Sequence, residues 1–206
     1  MTISSLKLYY TLPYGRGLGA VIQLLLEDAC IPYEFIFIDK ANEWPRVKAS
    51  LLASNYHFDC MPMIELEDGK RYSACLPIMR FLSKKIGKYL PLDNLDEEQF
   101  LDAIADYACD WFQVTARVVL QPDNKQLQQQ YILKERQVFF DRFNRLYSMH
   151  KGPYALGSEI SYVDFYVYKI AARLQPNKES IKDYPNIASL VEAINARPNL
   201  QNFLQP

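Results

Sequence analysis

The chain has 206 residues, half of them hydrophobic, and its 23 basic and 24 acidic side chains give a formal net charge of −1. This balance excludes the strong positive field by which proteins recruit nucleic acid or an anionic membrane. The apolar runs are far shorter than the roughly 20 residues needed to span a bilayer, and the first residues do not resemble a secretory signal. Composition therefore predicts a soluble, cytoplasmic protein with one core or two small, tightly packed domains.

Metal and nucleotide chemistry are also disfavoured. The four cysteines lack the C-x-x-C spacing of metal and redox motifs, and the two histidines stand alone. The segment Gly15-Arg16-Gly17-Leu18-Gly19 lacks the spacing of dinucleotide and P-loop fingerprints, so a backbone turn explains its glycines better. We therefore predict no metal and no cofactor.

The first part of the chain contains strand patterns and a hairpin. Residues 33–38 carry apolar aromatic side chains at alternate positions, which predicts a half-buried strand. Further on, residues 63–66 and 71–73 flank Asp68-Gly69, a strong signal for a β-hairpin. A helix follows, which tolerates Pro77 because this proline lies in its first turn.

Pro62 stands directly before the first hairpin strand, at the end of a loop. A proline there cannot donate to a strand ladder and is a candidate for a cis peptide bond that presents backbone groups outward. We expect it to shape a site.

The hydrophobic pattern becomes helical after about residue 90. We predict a domain over residues 1–87, a linker over 88–95 and an all-helical domain over 96–206. Helices are expected at 96–119, 124–149, 162–174 and 187–196. An α/β part is thus followed by an all-α part.

Ser161 and Asp164 form a capping-box pattern before the third of these helices. Ser161 can accept from the backbone N–H of Asp164, while Asp164 accepts from the N–H of Ser161. Because the following helix is strongly apolar, this box is expected to serve folding.

In this order, the segments resemble the cytosolic glutathione transferases of the tyrosine type, most closely the sigma class. The resemblance spans nearly the whole chain and is carried by six segments: 7–10, 15–27, 30–34, 43–48, 60–82 and 160–165. It implies a thioredoxin-like N-terminal domain that binds glutathione, followed by an all-helical domain that forms a hydrophobic substrate site. Such a protein conjugates the glutathione thiolate to apolar electrophiles in detoxification, with isomerase or peroxidase side activities.

The chemical task that the resemblance implies is to ionise the thiol of glutathione. A free thiol has a pKa near ~8.5, so only about 3% is ionised at pH 7. Lowering that pKa by ~2 units requires roughly 2.7 kcal/mol, which one charge-assisted hydrogen bond supplies. A tyrosine hydroxyl suits this role because it stays protonated and donates.

Two tyrosines compete for that role. Tyr10 falls on the family's catalytic position when counted from the first strand, whereas Tyr14 is favoured when counting back from the glycine turn. Tyr10 could also be a packing residue at a strand end. The basic residue that often supports the thiolate aligns with Leu18, so this support is absent.

Other residues align with the positions that bind glutathione. Trp44 and Lys48 lie four apart on one helical face and would donate to the glycine carboxylate, or they could be a packing residue and a solvated charge. The main chain of Met61, before Pro62, would pair with the peptide part of glutathione.

The residues that would bind the γ-glutamyl end of glutathione depart from the family pattern. Ala74-Cys75 stands where the family has Gln or Glu followed by Ser, and Cys60 replaces a residue that is often Gln. Losing one charge-assisted bond costs about 1.5–3 kcal/mol, or roughly 10- to 150-fold in affinity. The N-terminus of the helix after Ala74 can still attract an anion. Cys75 itself is either a redox group or a small buried thiol.

Three aspartates repeat every four residues along the first long helix: Asp102, Asp106 and Asp110. Asp110 aligns with a family residue that reaches the glutamyl amine bound by the partner subunit of a homodimer. A solvated acidic face explains the series equally well.

Three functions remain open at this point. The first is a glutathione transferase, and the second is a non-catalytic binding or assembly module of the same fold, which Ala74 and Cys75 favour. The third, a thiol–disulfide or dehydroascorbate-type reductase, would need a cysteine near Tyr14 and Gly15, where there is none.

Overall fold

The computed structural model describes residues 3–173 and 178–205, which divide into two compact units. The first unit contains residues up to 87 together with those from 198 onward, and the second contains residues 88–197. The elements of the first unit are β1 (Leu6–Tyr10), α1 (Gly19–Asp28), β2 (Tyr33–Phe37), α2 (Trp44–Ala53), β3 (Met63–Leu66), β4 (Arg71–Ser73) and α3 (Cys75–Ile86), and after residue 197 a 3-10 turn (Pro198–Leu200) and α9 (Gln201–Leu204).

The first unit is built on a four-stranded mixed sheet with the order β2-β1-β3-β4. β1 runs parallel to β2 and antiparallel to β3, so that Leu8 pairs with Phe35 on one side and Ile64 on the other. Leu8 and Ile64 are fully buried, and nearly every residue of α1 is buried as well. The predicted strand at 33–38 and the hairpin are confirmed, and β2 ends one residue earlier than expected.

The second unit is helical within its described residues, 88–173 and 178–197. Its elements are α4 (Leu95–Val119), α5 (Lys125–Gln130), a π-helical stretch (Tyr131–Arg136), α6 (Gln137–Leu146), α7 (Tyr162–Tyr168), a second π-helical stretch (Lys169–Arg173), a 3-10 turn (Lys178–Asp183) and α8 (Pro185–Asn195). The predicted α/β plus all-α fold class is confirmed. The predicted helix at 162–174 extends beyond the described residues at its last position.

An aromatic cluster forms the core of the second unit. The ring of Trp111 packs against Phe140 and Phe143 at centroid distances of 5.0 and 4.9 Å. The indole N–H of Trp111 donates to the hydroxyl of Tyr131 at 3.3 Å, and Thr115 bonds to the same hydroxyl. Tyr131 begins the π-helical stretch that interrupts the predicted helix at 124–149.

The capping box before α7 is confirmed. The backbone N–H and the hydroxyl of Ser161 each donate to Oδ2 of Asp164 at 2.7 Å. Oδ1 of the same side chain accepts from the Tyr147 hydroxyl at 2.8 Å and from the backbone N–H of Ala155 at 3.0 Å. Asp164 is fully buried, so the box also ties α7 to two other segments.

None of the helices within residues 3–173 and 178–205 is at once long and apolar enough to cross a membrane.

Candidate functional site

Tyr10 is the last residue of β1, and its ring lies under the loop that leads into α1. The backbone N–H of Leu18 donates to the Tyr10 hydroxyl oxygen at 3.0 Å. A Cβ atom at Gly17 would lie 2.5 Å from that oxygen, and one at Gly19 would lie 2.6 Å from the ring. Both glycines are therefore required by the close approach of this loop to Tyr10.

The environment of Tyr10 keeps its hydroxyl protonated. Burial raises the pKa of Tyr10, and the hydrogen bond from Leu18 opposes this only in part. Because the oxygen accepts from Leu18 N–H, the hydroxyl proton can be donated elsewhere, and it becomes a stronger donor. This is the arrangement that a group stabilising a thiolate needs.

Cys75 lies against the same loop residue. It is the first residue of α3, is 5% exposed, and its Sγ lies 3.6 Å from the carbonyl oxygen of Leu18. Leu18 therefore contacts Tyr10 through its N–H and Cys75 through its carbonyl. The structure brings the two sequence candidates together, and Cys75 is a small buried thiol.

Ala74 holds an unusual backbone conformation just before α3. Its φ of 73° and ψ of 133° lie in a region that favours glycine, and such a residue costs of order 1–3 kcal/mol. Its N–H donates to the carbonyl oxygen of Pro62 at 3.0 Å. Since Pro77 has no N–H, anion binding at this helix end would depend on the N–H groups of Cys75 and Leu76.

The Met61-Pro62 peptide bond is cis, which confirms the prediction for Pro62. Within the described parts of the chain, the N–H and carbonyl of Met61 have no main-chain partner. Its backbone is thus available to a peptide-like ligand. Next to it, burial raises the pKa of the Cys60 thiol, so this exposed cysteine is not an activated thiolate.

Trp44 and Lys48 both lie on α2, with half-buried side chains. The ammonium of Lys48 lies 2.6 Å from Oδ2 of Asp59. The hydrogen bond and charge of Lys48 lower the pKa of Asp59, which keeps that carboxyl ionised. Sequence reasoning missed this partner, because no motif relates Asp59 to a lysine eleven positions earlier.

Tyr14 lies apart from the Tyr10 hydroxyl. Its own hydroxyl donates to Oε1 of Glu27 at 3.0 Å and lies 2.9 Å from the hydroxyl of Tyr33. Its ring packs edge-on against Phe35 at 5.5 Å. In this arrangement Tyr14 belongs to a different group of side chains, whereas Tyr10 lies with Leu18 and Cys75.

The aspartate series on α4 divides into two kinds of position. Asp102 is half-buried and accepts from the Tyr162 hydroxyl at 2.7 Å, whereas Asp106 and Asp110 are exposed. The exposed carboxylate of Asp110 is compatible both with a solvated face and with a role toward a partner subunit. Its role stays a prediction.

The described part of the chain contains no cluster of three or more His, Cys, Asp or Glu side chains that could hold a metal ion.

Known proteins resemble the chain over most of its length. Residues 109–206 match the family described as Glutathione S-transferase, C-terminal domain. Glutathione S-transferase P 10 of Caenorhabditis elegans is 27% identical over 199 residues, which cover 96% of this chain and 89% of that protein. Glutathione S-transferase 2 of Manduca sexta is 26% identical over 185 residues, which cover 86% and 82% of the two chains.

A solved structure agrees with these relatives. The Nu-class GST from Haemonchus contortus superposes with a TM-score of 0.80 at 26% identity, covering 97% of this chain and 95% of that one. The similar proteins carry more than one class name, so the sigma assignment stays a prediction. The family match, the relatives and the solved structure agree that this chain is similar to glutathione S-transferases.

Proposed function

We propose that the protein is a glutathione transferase that conjugates the glutathione thiolate to apolar electrophiles, with Tyr10 as the donor to the sulfur. The observation that carries the proposal is the Tyr10 hydroxyl, which accepts from Leu18 N–H at 3.0 Å and retains its own proton for donation. Isomerase or peroxidase side activity and a sigma-class identity are part of the same proposal.

The glutathione contacts in this proposal come from several segments. The main chain of Met61, beside the cis bond to Pro62, pairs with the peptide part of glutathione, and Trp44 and Lys48 bind its glycine carboxylate. The γ-glutamyl carboxylate is received by the start of α3. This part of the site has no Ser hydroxyl, because Ala74 and Cys75 occupy the two positions before and at the start of α3.

The biological setting is also proposed. None of the four cysteines, all of which lie in the described residues, forms a disulfide, which suits a reducing compartment such as the cytoplasm. The proposal includes a homodimer in which Asp110, which is exposed, reaches the partner subunit's glutathione.

A second candidate function is a non-catalytic module of the same fold. Two observations favour it: Cys75 is buried against Leu18, and Lys48 is already paired with Asp59. Both reduce the donors available to glutathione.

Calorimetric titration of the purified protein with glutathione separates the two candidates. We expect saturable binding at or below a millimolar dissociation constant, and a roughly 10-fold gain in the Cys75→Ser variant, because a hydroxyl is a stronger donor than a thiol. Cys30→Ser is the matched control, since it makes the same change at an exposed position outside the proposed glutathione contacts and should leave the affinity unchanged. No heat of binding in either the native protein or Cys75→Ser would support the non-catalytic module.

Separate substitutions of Lys48 on α2 and of its partner Asp59 in the following loop test the proposed contact with the glycine carboxylate. We expect Lys48→Met to raise the dissociation constant of glutathione roughly 3- to 10-fold, because a partly exposed charge contributes about 1 kcal/mol. Asp59→Asn frees the same ammonium and should leave affinity unchanged or increase it. Equal losses in both variants would mean that the pair only holds the loop in place. The same titration measures both.

A further inference from the structure

A cavity of about 610 Å³ opens in the first unit, away from Tyr10 and Cys75. It lies where the C-terminal part of α1, the edge strand β2 and the segment beginning at Pro198 meet. Its size is within the range of pockets that hold small molecules. No residue of the proposed glutathione site lines it, whereas Tyr14, which the sequence offered as an alternative to Tyr10, does.

Aromatic rings form one side of this cavity. Tyr33 and Phe35 alternate along β2 and therefore share a face of the edge strand. The Tyr14 ring stands perpendicular to Phe35, at an interplanar angle of 89° and a centroid distance of 5.5 Å. The ring of Phe203 also packs against Tyr14, at a centroid distance of 5.5 Å.

A carboxylate without a cationic partner lies among these rings. Oε1 of Glu27 accepts from the Tyr33 hydroxyl at 2.7 Å and from the Tyr14 hydroxyl at 3.0 Å. Within residues 3–173 and 178–205, Glu27 forms no ion pair and its Oε2 has no hydrogen-bond partner. No Lys, Arg or His lines the cavity. A half-buried negative charge is thus left uncompensated.

The two tyrosines remain neutral beside this charge. Burial raises the pKa of Tyr14 and of Tyr33, and the neighbouring Glu27 carboxylate raises both further. Both hydroxyls therefore act as donors that fix the position of the carboxylate, and the charge of the cavity stays negative.

The geometry points to a second binding site: we propose that this cavity binds a small alkylammonium cation between the aromatic rings and the Glu27 carboxylate. Aromatic faces attract organic cations, and the attraction is stronger where water is partly excluded. A hard metal ion is a poor fit, since calcium takes 6–8 oxygen ligands and the cavity offers one carboxylate. Anions are repelled by Glu27.

Choline tests the proposal with a matched neutral analogue, 3,3-dimethylbutan-1-ol, which has the same shape without the charge. In calorimetric or NMR titrations of the full chain, we expect saturable choline binding, and binding of the alcohol at least roughly 10-fold weaker. Glu27→Gln, which keeps the shape and an acceptor, should also weaken choline binding roughly 10-fold or more.

Glu34→Gln provides the control for the change in net charge. Glu34 is an exposed residue of β2 that does not line the cavity, so removing its charge should leave choline binding intact. If Glu27→Gln fails to fold, Tyr14→Leu removes a 52% exposed ring and should weaken choline in the same way.

Three results would overturn the proposal. They are the absence of saturable choline binding to the folded native protein, equal affinity for the neutral alcohol, and equal losses in the Glu27 and Glu34 variants. In each case Glu27 and the two tyrosines would be a structural hydrogen-bond group only.

Discussion

Replacing Tyr10 with Phe is expected to lower kcat/KM at pH 6 by at least roughly 10-fold with a generic electrophile. Without the hydroxyl, the pKa of bound glutathione returns from ~6.5 to its free value near ~8.5, so the thiolate population at pH 6 falls about 75-fold. A more basic thiolate is a better nucleophile, which recovers less than about 10-fold. The pH–rate profile measures this directly.

The shape of that profile distinguishes loss of the thiolate from a general disruption of the active site. In Tyr10→Phe the rising limb should shift to higher pH by about 2 pH units. At pH 9.5 both thiols are ionised, so the variant should match or exceed the native enzyme, by less than about 10-fold. Burial raises the pKa of Tyr10 in the native protein, so its hydroxyl should stay a donor across this range.

Tyr14→Phe is the matched control for Tyr10→Phe. It removes the same atom from a residue whose hydroxyl bonds to Glu27 and lies beside Tyr33, so the profile should not move. A shifted profile in Tyr14→Phe with a native one in Tyr10→Phe would reassign the donor to Tyr14. A uniform loss at every pH in Tyr10→Phe would instead indicate a packing role for its ring.

Local patterns in the sequence predicted most of the fold. Alternating side chains placed β2, and the Asp68-Gly69 signal placed the turn between β3 and β4, because each depends on residues close in the chain. The π-helical stretch at 131–136 was not predicted. It begins at Tyr131, whose hydroxyl bonds to Trp111 and Thr115 on α4, and such a long-range contact leaves no local pattern.

The candidate site was only partly predictable for the same reason. Counting from β1 indicated Tyr10, but nothing in the sequence showed that Leu18 would contact both Tyr10 and Cys75. The glycines at 17 and 19 were interpreted as a turn, whereas they also make room for the Tyr10 ring. Their spacing after a strand-end tyrosine is the signal that could have found this role.

Removing the buried carboxylate of Asp164 is expected to cause the largest loss of stability in the second unit. Asp164→Ala leaves the Tyr147 hydroxyl and the backbone N–H groups of Ala155 and Ser161 without their acceptor. Each unsatisfied buried donor costs about 1–3 kcal/mol, so the free energy of unfolding should fall by at least about 3 kcal/mol. Urea unfolding followed by tryptophan fluorescence measures it.

The chain has two tryptophans, so a Trp44→Phe background makes Trp111 the reporter for the second unit. Ser161→Ala is the matched control, since it removes one hydroxyl of the same box and should cost only about 1 kcal/mol. If Asp164→Ala cost no more than Ser161→Ala, the bonds to Tyr147 and Ala155 would contribute nothing to stability.

The pH dependence of this loss follows from the charge of Asp164. Burial raises the pKa of Asp164 in the folded state, and its hydrogen bonds offset this only in part. The folded state therefore holds the proton to a higher pH than the unfolded chain does, so this contribution to stability is complete at low pH and is lost as the pH rises through the folded pKa. The stability difference between the native protein and the non-titrating Asp164→Asn should accordingly be larger at pH 4 than at pH 8. The opposite slope would mean that the four hydrogen bonds outweigh burial and that Asp164 stabilises the box as an anion.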